Sequence, residues 1–562
     1  MIHKQITKLL FLLAIFGVGC TVKSSNQPLD KKVVFEGLEF EMPAISEPVI
    51  PDYSVSITDF GAVNGGEVLN TQAFADAINA VSEKGGGKVV IPSGVWLTGP
   101  ILLKSNLELH AETGALIVFS DDKDLYPLVE TSFEGLNTWR CLSPLYGKGL
   151  ENIAFTGNGV WDGSGDAWRF VKKSKLNEEQ WKKLVASGGF ISEDGKEWYP
   201  SEQFRDAMKG ADQNIRHDLT TKEEFQAIRD FLRPVMLSIQ NSKRVLIDGP
   251  TFQNSPAWCL HPFMIEDLIV RNTTVRNPWY SQNGDGLDVE SCKNVLVERC
   301  SFDVGDDAIC IKSGKDKDGR ERGVACENLV IRKNVVYHGH GGVTVGSEMS
   351  GGVKNMHVSD CTFIGTDVGL RFKSNRGRGG VVEDIFISRV QMKDIPTFAI
   401  SFNLYYGGKS ASEVLEAGDE GDMAQLQPVT EETPQFKDIQ IADVTVSGAM
   451  QAVLLQGLPE MNLENVKIRN SVFSANKGIV ITDANGVTLN NIQLSVKNGK
   501  AIEMSNSSNV DIQNLDFSFE KENAISIVGN KCSNVSVSGK GMESLKDFVL
   551  LGKEVDENQI EY

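Results

Sequence analysis

The sequence predicts an all-β fold: a single-stranded right-handed parallel β-helix with an N-terminal capping helix and one helical excursion. Three observations carry that prediction. A short alternating phrase recurs through the second half of the chain, its recurrences are spaced mostly in the twenties of residues, and an amphipathic helix precedes the first strand-like runs.

The phrase is a small polar residue, alternating apolar positions, then Asn or Asp and a second alternating run. Ser242-Lys243-Arg244-Val245-Leu246-Ile247-Asp248, Cys292-Lys293-Asn294-Val295-Leu296-Val297 and Leu463-Glu464-Asn465-Val466-Lys467-Ile468 are examples. The first apolar residue of each copy gives the series Val245, Leu268, Val295, Leu329, Met356, Ile385, Ile439, Val466, Val487, Val510, Val535. Its intervals run from 21 to 34 residues, apart from a single interval of 54 that contains an acidic insertion at about 407–435. A unit this short cannot bury its own apolar face, so copies must stack, which is the logic of a solenoid. Two or three short strands per unit make one rung. The Asn before the marker suits a turn, because Asn accepts left-handed backbone and can bond to the Asn of the next rung. Leucine-rich repeats compete, but their Leu spacing and helical segments are missing.

An open solenoid end needs a cap. Residues 70–82 supply one: Phe74, Ala77, Ile78 and Val81 fall on one helical face, Asn70 stands at the N-cap position, and Gly85-Gly86-Gly87 ends the helix. Those glycines follow a helix and precede a strand, which rules out a phosphate loop. Between 168 and 232 the β pattern disappears. Helices are expected over 177–185 and 221–232, the second opening on a Thr221/Glu224 capping box. This stretch reads as an excursion from one coil and not as a second domain.

At the amino terminus, Lys4 and Lys8 precede the apolar run 9–18, which ends at Gly19-Cys20. That describes a secretory signal over 1–19, too short to span a bilayer. A Cys directly after small residues resembles a bacterial lipobox, so Cys20 is expected to be lipidated. Residues 20–51 would form a polar tether and 52–562 one catalytic domain. The chain would be periplasmic or outer-membrane attached, touch a membrane only through that lipid, and act as a monomer. Eight further cysteines show no zinc spacing, and free thiols and disulfides both remain open. The 562-residue chain carries a formal net charge of −19, which disfavours nucleic acid and anionic membranes as partners. An anionic ligand would require locally concentrated positive charge.

Four short motifs lie about one repeat apart: Asn283-Gly284-Asp285-Gly286-Leu287-Asp288, Gly305-Asp306-Asp307, Gly339-His340-Gly341 and Arg371-Phe372-Lys373. Asp306 and His340 each follow their markers by 11 residues, so they should stack on one face of adjacent rungs. The two-residue spacing of Arg371 and Lys373 puts them on one side, with Phe372 in the core. Close carboxylates cannot all ionise, so at least one should hold a proton and serve as an acid while its neighbours activate water. That division of labour cleaves glycosidic bonds. Arg371, Lys373, Arg376 and Arg378, with Lys312 and Lys315 on an earlier rung, would concentrate the cations an anionic sugar needs.

These motifs, in this order, resemble those of polygalacturonases and their relatives, glycoside hydrolase family 28. Asp59-Phe60-Gly61-Ala62, Val90-Ile91-Pro92-Ser93-Gly94 and Ser255-Pro256-Ala257-Trp258 extend the resemblance over most of the mature chain. It implies the pectin lyase-like solenoid and hydrolysis with inversion. It also implies Asp306 as general acid, Asp285 and Asp307 as the pair activating water, and His340 as support for the acid. Arg371 and Lys373 would bind the substrate carboxylate, and Tyr405 would serve a subsite. Asn283 and Lys312 join the substrate-binding set, as does Glu348, whose setting Gly346-Ser347-Glu348 looks like that of exo-acting relatives. The expected activity is exo-acting hydrolysis of α-1,4-linked galacturonic acid, in pectic polysaccharide or oligogalacturonide, with no cofactor and no metal. The excursion and the insertion would close one end of the groove. Endo action stays open, as do xylogalacturonan and rhamnogalacturonan substrates. Two rivals remain: calcium-dependent β-elimination of the pectate lyase type, with the three acids as ligands, and a non-catalytic polysaccharide-binding β-helix.

Overall fold

A computed structural model describes residues 31–212, 214–407, 426–517, 524–540 and 544–562. The segment expected as a signal, Cys20, and residues 408–425 of the acidic insertion lie outside the described residues.

The chain winds as a parallel β-helix whose coils carry three strand ladders. The first ladder includes Leu107–Ala111, Glu151–Gly157, Lys293–Glu298 and Cys326–Arg332. The second includes Ala115–Phe119, Val160–Asp162, Thr251–Gln253 and Ser301–Asp303. The third includes Leu145–Lys148, Leu287–Glu290, Ile309–Lys312, Gly341–Val345 and Val368–Lys373. Each strand pairs in parallel with its equivalents one coil away. The eleven marker residues form one column: Val245 pairs with Leu268, Leu268 with Val295, and so on to Val535. The long interval is a single step in the column, Ile385 pairing with Ile439.

The turn before each marker explains the recurring Asn. Asn294, Asn328 and Asn355 have φ of 58°, 60° and 55°. Asn328 Nδ2 donates to Asn294 Oδ1 at 3.1 Å, and Asn355 Nδ2 donates to Asn328 Oδ1 at 3.0 Å. Asn328→Ala forfeits both bonds and leaves a β-carbon in left-handed backbone, so stability should fall by about 2 kcal/mol. Urea unfolding should show a lower midpoint at unchanged m-value. An unmoved midpoint would remove the ladder from the account.

The N-terminal helix spans Thr71–Glu83 and buries Phe74, Ala77, Ile78 and Val81 in the main core. Asn70 does not cap it. Its Oδ1 accepts from Val63 N at 2.7 Å and its Nδ2 donates to Val68 O at 2.9 Å, sewing the preceding loop to the helix start.

The segment read as a tether is different in its second half. Residues 31–51 lie along the outside of the first ladder, where Ile45 is fully buried against Ala154, Leu246, Ile269, Leu296 and Val330. Arg271 Nη1 donates to Glu47 Oε1 at 2.7 Å. The outward positions of these rungs are apolar and need cover. All eight described cysteines are free and buried, packing as small hydrophobes.

The excursion leaves the coil after Val160–Asp162 and returns at Leu237, as one departure from one rung. Its first helix, Glu178–Ala186, is capped by an Asn177/Gln180 box. The second is shorter than expected. The Thr221/Glu224 box forms, but the helix covers only Lys222–Gln226, followed by a 3₁₀ turn at Arg229–Phe231. The break lets Phe225, Phe231 and Leu232 join Phe204 and Tyr199 in a cluster separate from the main core. A helix at Glu202–Met208 and a small antiparallel sheet of Val171–Lys172, Glu197–Tyr199 and Phe190–Ile191 complete the excursion. A hairpin, Leu128–Phe133 with Leu136–Cys141, projects beside it. The central rungs of the third ladder are consequently buried on both sides. Their outward charged side chains sit in a low-dielectric setting, where each charge acts more strongly than in water.

Candidate active site

Register explains how four separated motifs meet. Leu287 pairs with Ile309 and Ile309 with Val343, which stacks Asp285 beneath Asp307 and Asp306 beneath His340. Thr344 pairs with Arg371 on the next rung. The coil corner bends at Gly305 and Asp306, which brings the adjacent Asp306 and Asp307 into one cavity. Gly305 is required for close approach: a β-carbon there would lie 2.4 Å from Pro278 O. Gly341 clears a path between rungs, since its β-carbon would meet Thr344 Oγ1 at 2.1 Å and Asp307 Oδ1 at 2.9 Å. Phe372 points inward and stacks on Phe402 with ring centroids 4.3 Å apart.

A cavity of about 550 Å³ gathers Asp285, Asp306, Asp307, His340, Arg371 and Lys373, together with Asn283, Lys312 and Glu348. One oxygen from each of Asp285, Asp306 and Asp307 lies within 4.8 Å of the other two. Lys373 Nζ donates to Asp307 Oδ2 at 2.8 Å, while Arg371 Nη1 (3.2 Å) and Thr344 Oγ1 (3.0 Å) donate to Oδ1. His340 Nδ1 lies 3.1 Å from Asp306 Oδ1, which also accepts from Asp307 N at 3.0 Å. Lys312 Nζ donates to Glu348 Oε2 at 2.8 Å, stands 3.7 Å from Asp288 Oδ1 and lies 4.7 Å over the Trp258 ring.

The three acids differ electrostatically. Burial, reinforced by the Asp306 carboxylate, pushes Asp285 well above the usual carboxylate range. Burial also works upward on Asp306, but His340 outweighs it and holds Asp306 at about 2. At Asp307, burial is outweighed by Lys373 and Arg371, which keep it well below the usual range. Asp288 is also raised, burial again being the chief cause. As the side chains stand, the acid that holds a proton is Asp285. Asp306, the acid named by the resemblance, is ionised.

Two expected residues fall elsewhere. Tyr405 does not line the cavity; Tyr406 does, its ring 4.7 Å from Lys373 Nζ and 5.5 Å from the Arg371 guanidinium. The strand ends at Asn403, whose Oδ1 accepts from Tyr405 N at 2.7 Å, and this turn breaks the alternation that would have presented Tyr405. Arg376 is drawn out of the cation group by Glu460, donating at 2.6 and 2.9 Å.

The excursion and hairpin supply groups without a motif. Phe170, Lys172, Lys175, Asn214 and Glu134 line the cavity. Arg233, fully buried, donates to Asn214 Oδ1 at 2.7 Å and Asn283 Oδ1 at 3.1 Å, which locks the cavity wall to the Asn283 turn. The capping boxes marked the excursion as ordered, but no period linked it to the site.

A parallel β-helix that sets three acids beside a cationic clasp in a covered cavity defines a β-helical glycosidase. The model of the glycosyl hydrolases family 28 matches residues 171–418. The crystal structure of a hyperthermoactive exopolygalacturonase from Thermotoga maritima superposes with a TM-score of 0.64 at 32% identity, covering 80% of this chain and 93% of that one. A probable polygalacturonase from Vitis vinifera is 27% identical over 428 residues, 74% of each chain. An exo-poly-alpha-D-galacturonosidase from Dickeya chrysanthemi is 26% identical over 366 residues, 64% of this chain and 58% of that protein. The chain belongs to glycosyl hydrolase family 28.

Proposed function

We propose that this protein is an exo-acting polygalacturonase that hydrolyses α-1,4-linked galacturonic acid with inversion. The observation that carries the reading is the pairing of Asp307 with Lys373 and Arg371 beside two further acids within 4.8 Å. Both cations keep unused donors, so a substrate carboxylate can join Asp307 on them, with Tyr406 against their other side. A water within about 2.8 Å of two carboxylate oxygens, at a tetrahedral angle, bridges about 4.5 Å. Oxygens of Asp285 and Asp307 lie within 4.8 Å of each other, a limit that admits such a bridge, and Asp285 Oδ1 is buried with no hydrogen-bond partner among the described residues.

The proton then has a route. Lys373 helps hold Asp306 ionised. A substrate carboxylate on Lys373 and Arg371 offsets their field, so the Asp306 carboxyl rises on binding. The proton held at Asp285 can pass to Asp306, which gives it to the leaving oxygen as Asp285 and Asp307 take the proton of the attacking water. Each group thus reaches the state its role requires only once substrate is bound.

The short carboxylate separation would by itself suit a retaining nucleophile. Asp307, held by three donors, makes a poor one. Proton NMR of the first-formed product should therefore show the β-anomer. An initial α-anomer would reverse this part of the reading. The acids also resemble a cation site, but Lys373, Arg371 and Thr344 already occupy both Asp307 oxygens, so hydrolysis should survive a chelator.

Exo action draws support from the excursion and hairpin side chains that wall the cavity. The proposal extends to export and a lipid on Cys20, supported by the basic, apolar and Gly-Cys pattern of residues 4–20. Cys20→Ala should move the protein from the membrane to the soluble fraction. Unchanged membrane retention would overturn the anchor.

A further inference from the structure

The cations that line the cavity fall into two groups. Arg371 and Lys373 pair with Asp307, Lys312 with Glu348 and Arg378 with Asp316. Lys172, Lys175 and Lys315 line the same cavity and form no ion pair among the described residues. Lys175, from the excursion, is the one that reaches the catalytic acids. Its Nζ stands 3.0 Å from His340 Nε2, so two basic groups meet at the cavity wall. Asp367, 3.7 Å from the same ring nitrogen, is the acid on that side. In a chain with a net charge of −19, an ammonium left unpaired in a covered cavity is a place for an anion that arrives from solution.

Lys175 is held in place. It ends the 3₁₀ turn Lys173–Lys175, and its carbonyl accepts from Trp279 Nε1 at 3.0 Å. Val171, Trp181 and Trp198 pack into a cluster with Leu176 and Tyr280, tying this stretch of the excursion to the Asn283 rung. Its position relative to the clasp follows from a line of contacts. Lys373 Nζ meets Asp307 at 2.8 Å, Asp306 is the adjacent residue, His340 Nδ1 meets Asp306 at 3.1 Å, and Lys175 meets the far side of that ring. The acid therefore stands between two cationic points along that line. A glycosidic oxygen that reaches Asp306 has one sugar on each side, and in a galacturonan each of them carries a carboxylate. The clasp serves one of the two.

We propose that Lys175 is a specificity-determining residue that binds the carboxylate of the second sugar, across the scissile bond from the one held by Arg371 and Lys373. This assignment rests on the hydrolytic reading of the site and deepens it, because it sets which pectic chains are cut. Cleavage then needs free carboxylates on two consecutive sugars. A methyl ester at the second position removes the charge that Lys175 recognises and leaves its ammonium without a partner in the covered cavity. A backbone that alternates uronic acid with a neutral sugar fails in the same way, so the substrate is unesterified homogalacturonan. The excursion thereby contributes to substrate choice through a residue that no motif marks.

The test is calorimetry on the full chain carrying Asp306→Asn, which measures binding without turnover. The ligands are digalacturonate and its two monomethyl esters. Adding Lys175→Met should weaken digalacturonate by about tenfold, the loss of one charged contact at a half-buried lysine. One monoester lacks the carboxylate that Lys175 holds. It should bind about tenfold more weakly than the free acid while Lys175 is present, and Lys175→Met should weaken it no further. The other monoester lacks the clasp carboxylate and should stay as sensitive to Lys175→Met as the free acid. Lys175→Arg keeps a cation in place and should hold digalacturonate close to the original affinity. If Lys175→Met leaves digalacturonate affinity unmoved, or weakens both monoesters as much as the free acid, the assignment is overturned and the hydrolytic reading stands. If digalacturonate does not bind even with Lys175 in place, both are overturned together.

Discussion

Asp306→Asn should lower kcat on polygalacturonate by about a thousandfold while leaving KM within a few-fold of the parent value. The amide keeps the shape and still meets His340, but it can neither hold nor give the proton. The same change should act on Asp285. Its raised state comes first from burial and next from the Asp306 carboxylate. Without that charge Asp285 ionises at lower pH, so the remaining slow activity should persist further into acid. Reducing-end release across a pH series reads both effects. A variant that retains more than a tenth of parental kcat would take the acid role from Asp306.

Lys373→Met should be the second large loss, and its effects should divide in a diagnostic way. Removing a charged donor from the substrate carboxylate should raise KM by about 10- to 100-fold. Lys373 is also the largest influence holding Asp307 ionised against the upward push of burial. Asp307 should then protonate at higher pH, and the acid limb of kcat/KM should move upward. The folded state loses stability too, because Asp307 is 1% exposed and would lose the closer of its two ion-pair partners among the described residues. Breaking a buried pair costs about 3 kcal/mol. The sign follows from the depressed state of Asp307: its ion pairing stabilises the fold above the ordinary carboxylate range and fades as pH falls through its lowered value. The parent and the variant should therefore differ most in stability near neutral pH and converge in strong acid. A stability difference that grows on acidification would contradict the pairing.

Much of this was legible in the sequence because a solenoid writes its register into its repeat. Val245, Leu268, Val295 and the later markers form one physical column, so counting residues was equivalent to measuring the stack. Asp306 and His340 share a phase with respect to their markers, and they share a register position in the coil. The Asn ladder was readable for the same reason, since the turn geometry recurs at every rung.

What escaped lies where the period stops. Lys175, Asn214 and Arg233 belong to an excursion with its own small cores, and nothing in their spacing relates them to a rung. Tyr405 was named from the resemblance alone, and the turn after Asn403, where the strand ends, places Tyr406 in the cavity lining instead. Arg376 was counted with the clasp because proximity in sequence said nothing of Glu460, whose partnership depends on the turn two rungs later. Residues 31–51 were read from their polar character. The apolar outward column of Leu246, Ile269, Leu296 and Val330, which they cover, is visible only when alternate positions of successive rungs are compared.

The most direct test is mass spectrometry of the products formed from a long oligogalacturonide tagged at its reducing end, digested by the full-length protein in oxygen-18 water. The account predicts a ladder of tagged chains shortened stepwise from the other end. The released sugars should be saturated and carry one heavy oxygen each. Tagged fragments of random length would contradict exo action, and unsaturated products free of heavy oxygen would contradict hydrolysis itself.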